Sequence, residues 1–307
     1  MSRKRLDRIG EINESNNHGT MKINKYHNAR NIEVKFKNTG NITKTTYSAF
    51  RCGNVTDSIG WKSRRTGQIQ ESNKYGLMEI VEYNRASDIK VKFINTGAIV
   101  TSTYRRFDED CIKDPLHKEV CGVGCFGIGN HQDPVIYTMW SNMVHRCYNP
   151  YTMNKNQNLG YINVHICKEW LIFQEYCSWY IDNYYSIPGE IMTMDKDIIL
   201  KNNKTYSPKF CCIVPNSINL LMITKSRSRG KYPIGVYSNQ NSNGYTALLC
   251  IDGKQNFLGN YNTPEKAFNV YKIAKENNIK RMADKYKEWL PQNVYETLYN
   301  YQVEITD

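Results

Sequence analysis

The densest chemistry in the chain is Asp195-Lys196-Asp197, two carboxylates on either side of a lysine. Carboxylates are hard oxygen donors suited to a divalent cation. A lysine is protonated at neutral pH and serves as a base only after a large downward pKa shift, so its natural counterpart is a phosphate. The same residues also suit a polar turn capped by its own carboxylates. Two further clusters invite a chemical reading. Cys121 and Cys125, with His131 nearby, form the closest set of zinc-ligand types, although no second pair matches them. The run GVGCFGIG after Glu119 resembles a phosphate loop but lacks the Lys-Ser/Thr ending that such loops use.

The 307 residues carry 41 Lys+Arg against 29 Asp+Glu, a formal charge of +12 with a pI near 9.1. Such a balance favours polyanions, nucleic acid first among them, although a basic, Lys- and Asn-rich proteome would look alike. Twenty-three tyrosines interleaved with basic residues add stacking capacity. No window approaches the roughly 20 apolar residues of a membrane span, and the start, MSRKRLDRIGEINESNN, has charge without an apolar stretch. The ten cysteines are scattered and mostly in apolar contexts, as expected of reduced thiols in a cytoplasmic protein.

The elements that must position these groups begin with a duplication. The segment from Gly10 to Phe50 returns without gaps from Gly67 to Phe107, an offset of 57 residues that superposes Gly19 on Gly76, Tyr26 on Tyr83, Phe36 on Phe93 and Tyr47 on Tyr104. Each copy alternates polar and apolar residues in short runs and contains an Asn-Thr-Gly turn, which predicts a small antiparallel β-module. The expected exposed sides carry Lys35, Lys37, Lys44, Lys90, Lys92, Arg105 and Arg106, which suits phosphate contact and a solvated polar face equally well. Helical spacing of Ile136, Met139, Trp140, Met143 and Cys147 predicts one amphipathic helix, and Trp170, Phe173, Tyr176, Cys177 and Tyr180 a second, both read as core stripes.

Short motifs then occur in a fixed order: Trp140, Met143, Arg146, Cys147 and Tyr148; Val164, Cys167 and Trp170; Asp195, Lys196 and Asp197 with Tyr206, Ser207 and Pro208. This run from Gly122 to Asn219 resembles the central region of a family of phage-encoded HNH-type proteins. The resemblance implies a β-hairpin and short helix gripping one divalent metal, with an Asp of an Asp-His pair and a helix-borne Asn as ligands and the His activating water. Asp195 and Asn219 stand where those ligands belong, and a Mg²⁺ ion is the implied cofactor of an active site. Lys196 occupies the histidine's place, and Phe210 stands where such motifs carry a central Asn. The resemblance therefore implies a frame that keeps its grip on DNA with the base replaced.

Gly235 and Val236, Gly244, Tyr245 and Ala247, then Leu258, Gly259, Tyr261, Thr263, Glu265, Ala267 and Tyr271 resemble the Apetala-type DNA-binding domain, a three-stranded sheet laid into the major groove and backed by one helix. The same element order follows independently from alternation in TALLCI and QNFLGNY and from Thr263-Pro264 as a helix start. Lys225, Arg227, Arg229 and Lys231 precede this module and, with Lys254 and Gln255 in its second hairpin, are the expected contacts to phosphates and base edges.

Together these features predict an α+β chain with repeat modules at 1–58 and 59–115, an HNH-like centre at 116–224 and an Apetala-type module with closing helices at 225–307. The expected partner is double-stranded DNA, in the cytoplasm of an infected bacterial host, with no membrane partner and no cofactor unless Mg²⁺ sits at Asp195 and Asn219. The rival expectations are an active homing-type endonuclease or nickase, and a counter-defence inhibitor that binds a host nucleoprotein.

Overall fold

The computed structural model describes residues 8–153, 163–223, 231–239 and 244–307. The chain is α+β and divides into two compact units, residues 1–117 and 118–307. In the first unit, strands β1 (Ile12–Ser15), β2 (Gly19–Asn28), β3 (Asn31–Phe36) and β4 (Ile42–Thr45) form an antiparallel meander followed by helix α1 (Tyr47–Arg51). Helix α2 (Ser58–Arg65) leads to the second copy: β5 (Ile69–Ser72), β6 (Gly76–Arg85), β7 (Asp88–Phe93), β8 (Ile99–Ser102) and α3 (Tyr104–Asp108).

Period-2 alternation sends Met21, Ile23, Ile32, Val34 and Phe36 into one core with Phe50, and Met78, Ile80, Ile89, Val91 and Phe93 into another with Phe107. Each short helix is started by a threonine hydroxyl: Thr46 accepts from Ala49 N–H and Thr103 from Arg106 N–H. Glycine is required where β1 turns into β2, because Gly19 and Gly76 have φ of +76° and +78°. A Cβ on Gly76 would lie 2.3 Å from the Asn95 amide.

The copies also share their polar anchors. Buried Asp57 accepts hydrogen bonds from the Thr39 hydroxyl, the Asn41 amide (2.8 Å) and Ile59 N–H (3.1 Å). Its equivalent Asp114 accepts from the Thr96 hydroxyl (2.7 Å) and Leu116 N–H (2.9 Å). Tyr104 donates to Gln68 with Arg65 lying 3.7 Å over its ring, as Tyr47 donates to Glu11 beneath Arg8.

The second unit contains helices α4 (Pro134–Tyr148), α5 (Pro150–Met153), α6 (Phe173–Asn183), α7 (Asn216–Met222), α8 (Pro264–Lys285) and α9 (Gln292–Tyr299). Its strands are β9 (His165–Ile166), β10 (Met192–Asp195), β11 (Thr205–Tyr206), β12 (Cys212–Pro215), β13 (Val236–Asn239), β14 (Gly244–Ile251) and β15 (Lys254–Tyr261). β10 pairs antiparallel with β12, β9 parallel with β11, and β13-β14-β15 form an antiparallel sheet.

One continuous apolar core runs from Trp140 through Trp170, Phe173, Val214 and Ile218 to Ala247, Tyr271 and Leu298. The boundary expected after residue 224 therefore falls inside one compact unit. The second predicted helix begins later than its aromatic spacing suggests. Glu169–Leu171 form a 3-10 turn, which places the Trp170 carbonyl to accept from the Trp140 indole at 2.7 Å. The first of the expected closing helices, IKRMADKYKEWL, is not separate: its residues 279–285 continue α8 without a break. No helix among the described residues is long and apolar enough to cross a membrane.

Candidate functional site

β10, β12 and α7 form a strand–strand–helix unit: β10 ends at Asp195 beside Cys212, and α7 leaves β12 directly at Asn216. The residues between the strands are folded by their own side chains. Asp195 Oδ1 accepts the backbone N–H of Asp197 (2.7 Å) and of Ile198 (2.8 Å), which closes the turn. Burial pushes the Asp195 pKa up, against the two N–H bonds that favour its ionised form.

Lys196 points inward, its side chain only 11% exposed. Its ammonium donates to both carboxylate oxygens of Asp197 (2.8 and 2.7 Å) and to the Asn203 carbonyl (2.7 Å). Buried Asn203 ties the loop from within, donating to the carbonyls of Lys196 and Thr205 and accepting from Thr205 N–H. The neighbouring thiols are inert at neutral pH, burial pushing Cys211 up to about 12.

This donor set does not fit a divalent cation. Mg²⁺ binds through one or two carboxylates and several waters, yet both oxygens of Asp197 hold an ammonium and Asp195 Oδ1 holds two N–H groups. Asn219 lies on the half-buried side of α7. Among the described residues no three His, Cys, Asp or Glu side chains group in a way that could hold a metal ion. The zinc-type residues are likewise committed elsewhere. Cys121 Sγ lies 3.2 Å from His145 Nδ1, and His131 Nε2 lies 3.0 Å from the Ser178 hydroxyl. After the glycine-rich run, the start of α4 is closed by Asp133, whose carboxylate accepts from Val135 and Ile136 N–H and occupies the place a phosphate would take.

Two concavities flank this unit. One, of about 580 Å³, lies between α4, α6 and β10 and is lined by Asn142, His145, Arg146, Tyr176 and Thr193 among others. The tautomer of His145 follows from its neighbours. The Asn149 carbonyl oxygen accepts from Tyr151 N–H at 2.9 Å, which turns the Asn149 amide nitrogen toward His145 Nδ1 at 3.1 Å. Neutral His145 therefore accepts at Nδ1 and carries its proton on Nε2. The second cavity, about 830 Å³, lies between α7, strands β13 and β14, and α8. There Lys275 donates to the Leu221 carbonyl at 2.6 Å, and burial pulls its pKa down.

The β13-β14-β15 sheet has one covered and one open face. Val236, Ala247 and Leu249 are buried with Ala267, Phe268 and Tyr271 of α8. The approach is tight at Gly235, where φ is +74° and a Cβ would lie 2.0 Å from the Tyr271 ring. The opposite face carries the cross-strand sets Tyr237-Thr246-Asn260, Leu248-Phe257 and Cys250-Gln255. Phe257 is 64% and Tyr237 52% exposed, and the Thr246 hydroxyl donates to Asn260 Oδ1 at 2.7 Å.

No family model, curated protein or solved structure matches the chain.

The basic candidates fall into distinct environments. Lys254 and Gln255 are exposed where β15 begins, and Lys231 lies 5.5 Å from the Tyr232 ring. Lys225, Arg227 and Arg229 lie outside the described residues. Lys35, Lys37 and Lys44 are exposed. Lys90 is paired with Glu82 at 2.7 Å, Arg105 with Glu109 at 2.8 Å, and Arg106 donates to the Cys111 carbonyl at 2.9 Å. Lys92 is half-buried opposite Glu79. Sequence reasoning passed over Lys22, which stands directly across from Lys35, and the exposed aromatics Tyr237 and Phe257. Strand alternation marks those aromatics as lying opposite the helix-covered positions Val236 and Leu258.

Proposed function

We propose that this chain is a double-stranded DNA-binding protein, of phage or mobile-element type, built on an HNH-like frame that no longer cleaves. The observation that carries the reading is the open face of the β13-β14-β15 sheet. Exposed aromatic rings and the amide of Gln255 stand on a rigid surface braced by α8, with Lys254 at its margin. Amide side chains pair with base edges in the major groove, and lysines with phosphates. The charge of +12 and the ordered HNH-type motifs support the same partner. The Asp195 turn supports binding over cleavage, because its ammonium is paired with the Asp197 carboxylate and Asp195 Oδ1 is held by backbone N–H groups.

Gel retardation of duplex DNA by the full chain tests the reading, with Tyr237→Ala and Phe257→Ala as variants. Each is expected to weaken retention by about tenfold, the effect of removing an aromatic anchor from an interface. Wild-type protein that leaves duplex DNA unshifted, yet forms a stable complex with a host nucleoprotein, would replace this reading with the counter-defence one.

A further inference from the structure

The two β-modules share a fold and a register, so their open faces can be compared position by position. Across the first sheet one row reads Ile12, Lys22, Lys35, Ile42, each residue directly opposite the next. The equivalent row in the second reads Ile69, Glu79, Lys92, Ile99. Both rows lie between core-facing positions, and the four residues of the first are all exposed.

The next pair along the strands is an ion pair in both modules, but with its signs exchanged: Lys25–Glu33 at 3.2 Å in the first, Glu82–Lys90 at 2.7 Å in the second. Charge balance is kept there and lost elsewhere. Exposed Lys37 and Lys44 in the first module correspond to Ile94 and Thr101 in the second. The first face thus holds five lysines (22, 25, 35, 37, 44) against Glu14 and Glu33. The second holds two lysines (90, 92) against Glu71, Glu79 and Glu82.

The fold does not require this difference, since the same backbone is built with either set. The first module even carries a like-charge pair, Lys22 opposite Lys35, an arrangement that weakens a sheet. An anion lying across the row would relieve it. Lysines are compact point charges, and here their strand neighbours in the row are isoleucines with no hydrogen-bonding groups, so the surface can hold phosphates but not read bases.

We propose that the open face of the first module, and not that of the second, is a sequence-independent contact to the phosphodiester backbone of nucleic acid. This rests on the DNA-binding reading. The second module supplies residues already compatible with the register, so Lys22→Glu, Lys37→Ile and Lys44→Thr together convert the first face into the second with little risk to folding. A variant with the same charge change placed elsewhere, Lys113→Glu with Lys118→Glu, controls for net charge; both lysines are exposed.

Binding of the full chain to a random-sequence duplex would be followed over a range of salt concentrations, with thermal melting as the check on folding. The triple variant is expected to lose about tenfold or more in affinity, and its dependence of log K on log salt is expected to flatten by about 3, near 0.9 for each of the three phosphates that are no longer neutralised. The control should keep the wild-type slope. A triple variant with the wild-type slope, or a control that falls equally, overturns the module assignment and leaves the DNA-binding reading standing. Failure of the wild type to bind duplex overturns both.

Discussion

The turn after β10 and the open face of the C-terminal sheet resemble DNA-handling motifs equally well in sequence, and their side chains are used in opposite ways. In the turn, the Asp195, Lys196, Asp197 and Asn203 side chains are spent on one another or on the local backbone. On the sheet face, Gln255, Phe257 and Tyr237 are exposed to solvent on a braced surface. Groups satisfied internally set the shape of a loop, whereas groups left exposed on a rigid element can meet a partner. On the proposed reading, recognition belongs to the sheet and the turn has a structural role.

The largest effect should come from breaking the sheet's support. Gly235→Ala combines a φ of +74° with a Cβ 2.0 Å from the Tyr271 ring, and is expected to cost about 3 kcal/mol or more of stability in denaturant unfolding. DNA retention should fall with it.

Lys196→Met should come next, since it leaves the Asn203 carbonyl and the Asp197 carboxylate without their donor. The expected loss is about 1–3 kcal/mol of stability. DNA affinity of the folded fraction should be unchanged, and a matching drop in affinity would break the contrast between turn and sheet.

The smallest effect concerns two carboxylates with opposite responses to pH. Burial opposes ionisation of Asp57, yet bonds from Thr39, Asn41 and backbone N–H groups hold its pKa below the ordinary value of 3.8. The unfolded chain therefore binds the proton more readily, and Asp57's stabilisation, complete above 3.8, is lost as pH falls through its folded pKa. Asp195 has a raised pKa, so the folded state holds the proton more tightly. Stability from this group declines as pH rises from 3.8 through its folded pKa. Denaturant midpoints across this acidic range should change slope in opposite senses in Asp57→Asn and Asp195→Asn, and equal slopes would contradict the assignment of these shifts.

Much of the architecture is legible in the sequence because it rests on local periodicity. Alternation in MKINKY and IEVKF and the 57-residue offset predict both β-modules, and Thr263-Pro264 marks the start of α8, where the Thr263 hydroxyl accepts from Lys266 N–H. The side-chain commitments of the centre are not local. Lys196 turns inward because of Asn203, whose position depends on the closure of the whole loop. Cys121 meets His145 across the fold rather than its sequence neighbour Cys125. The Lys22–Lys35 pair needs strand register, which alternation alone does not fix.

The most direct test is to incubate the full chain with supercoiled plasmid in Mg²⁺, in Mn²⁺ and in EDTA, scoring retardation and nicking on the same gel. The predicted result is retardation in all three conditions with the plasmid left supercoiled. Metal-dependent nicking that disappears in Asp195→Ala would contradict it, showing that the turn opens to bind metal and that the frame still cleaves.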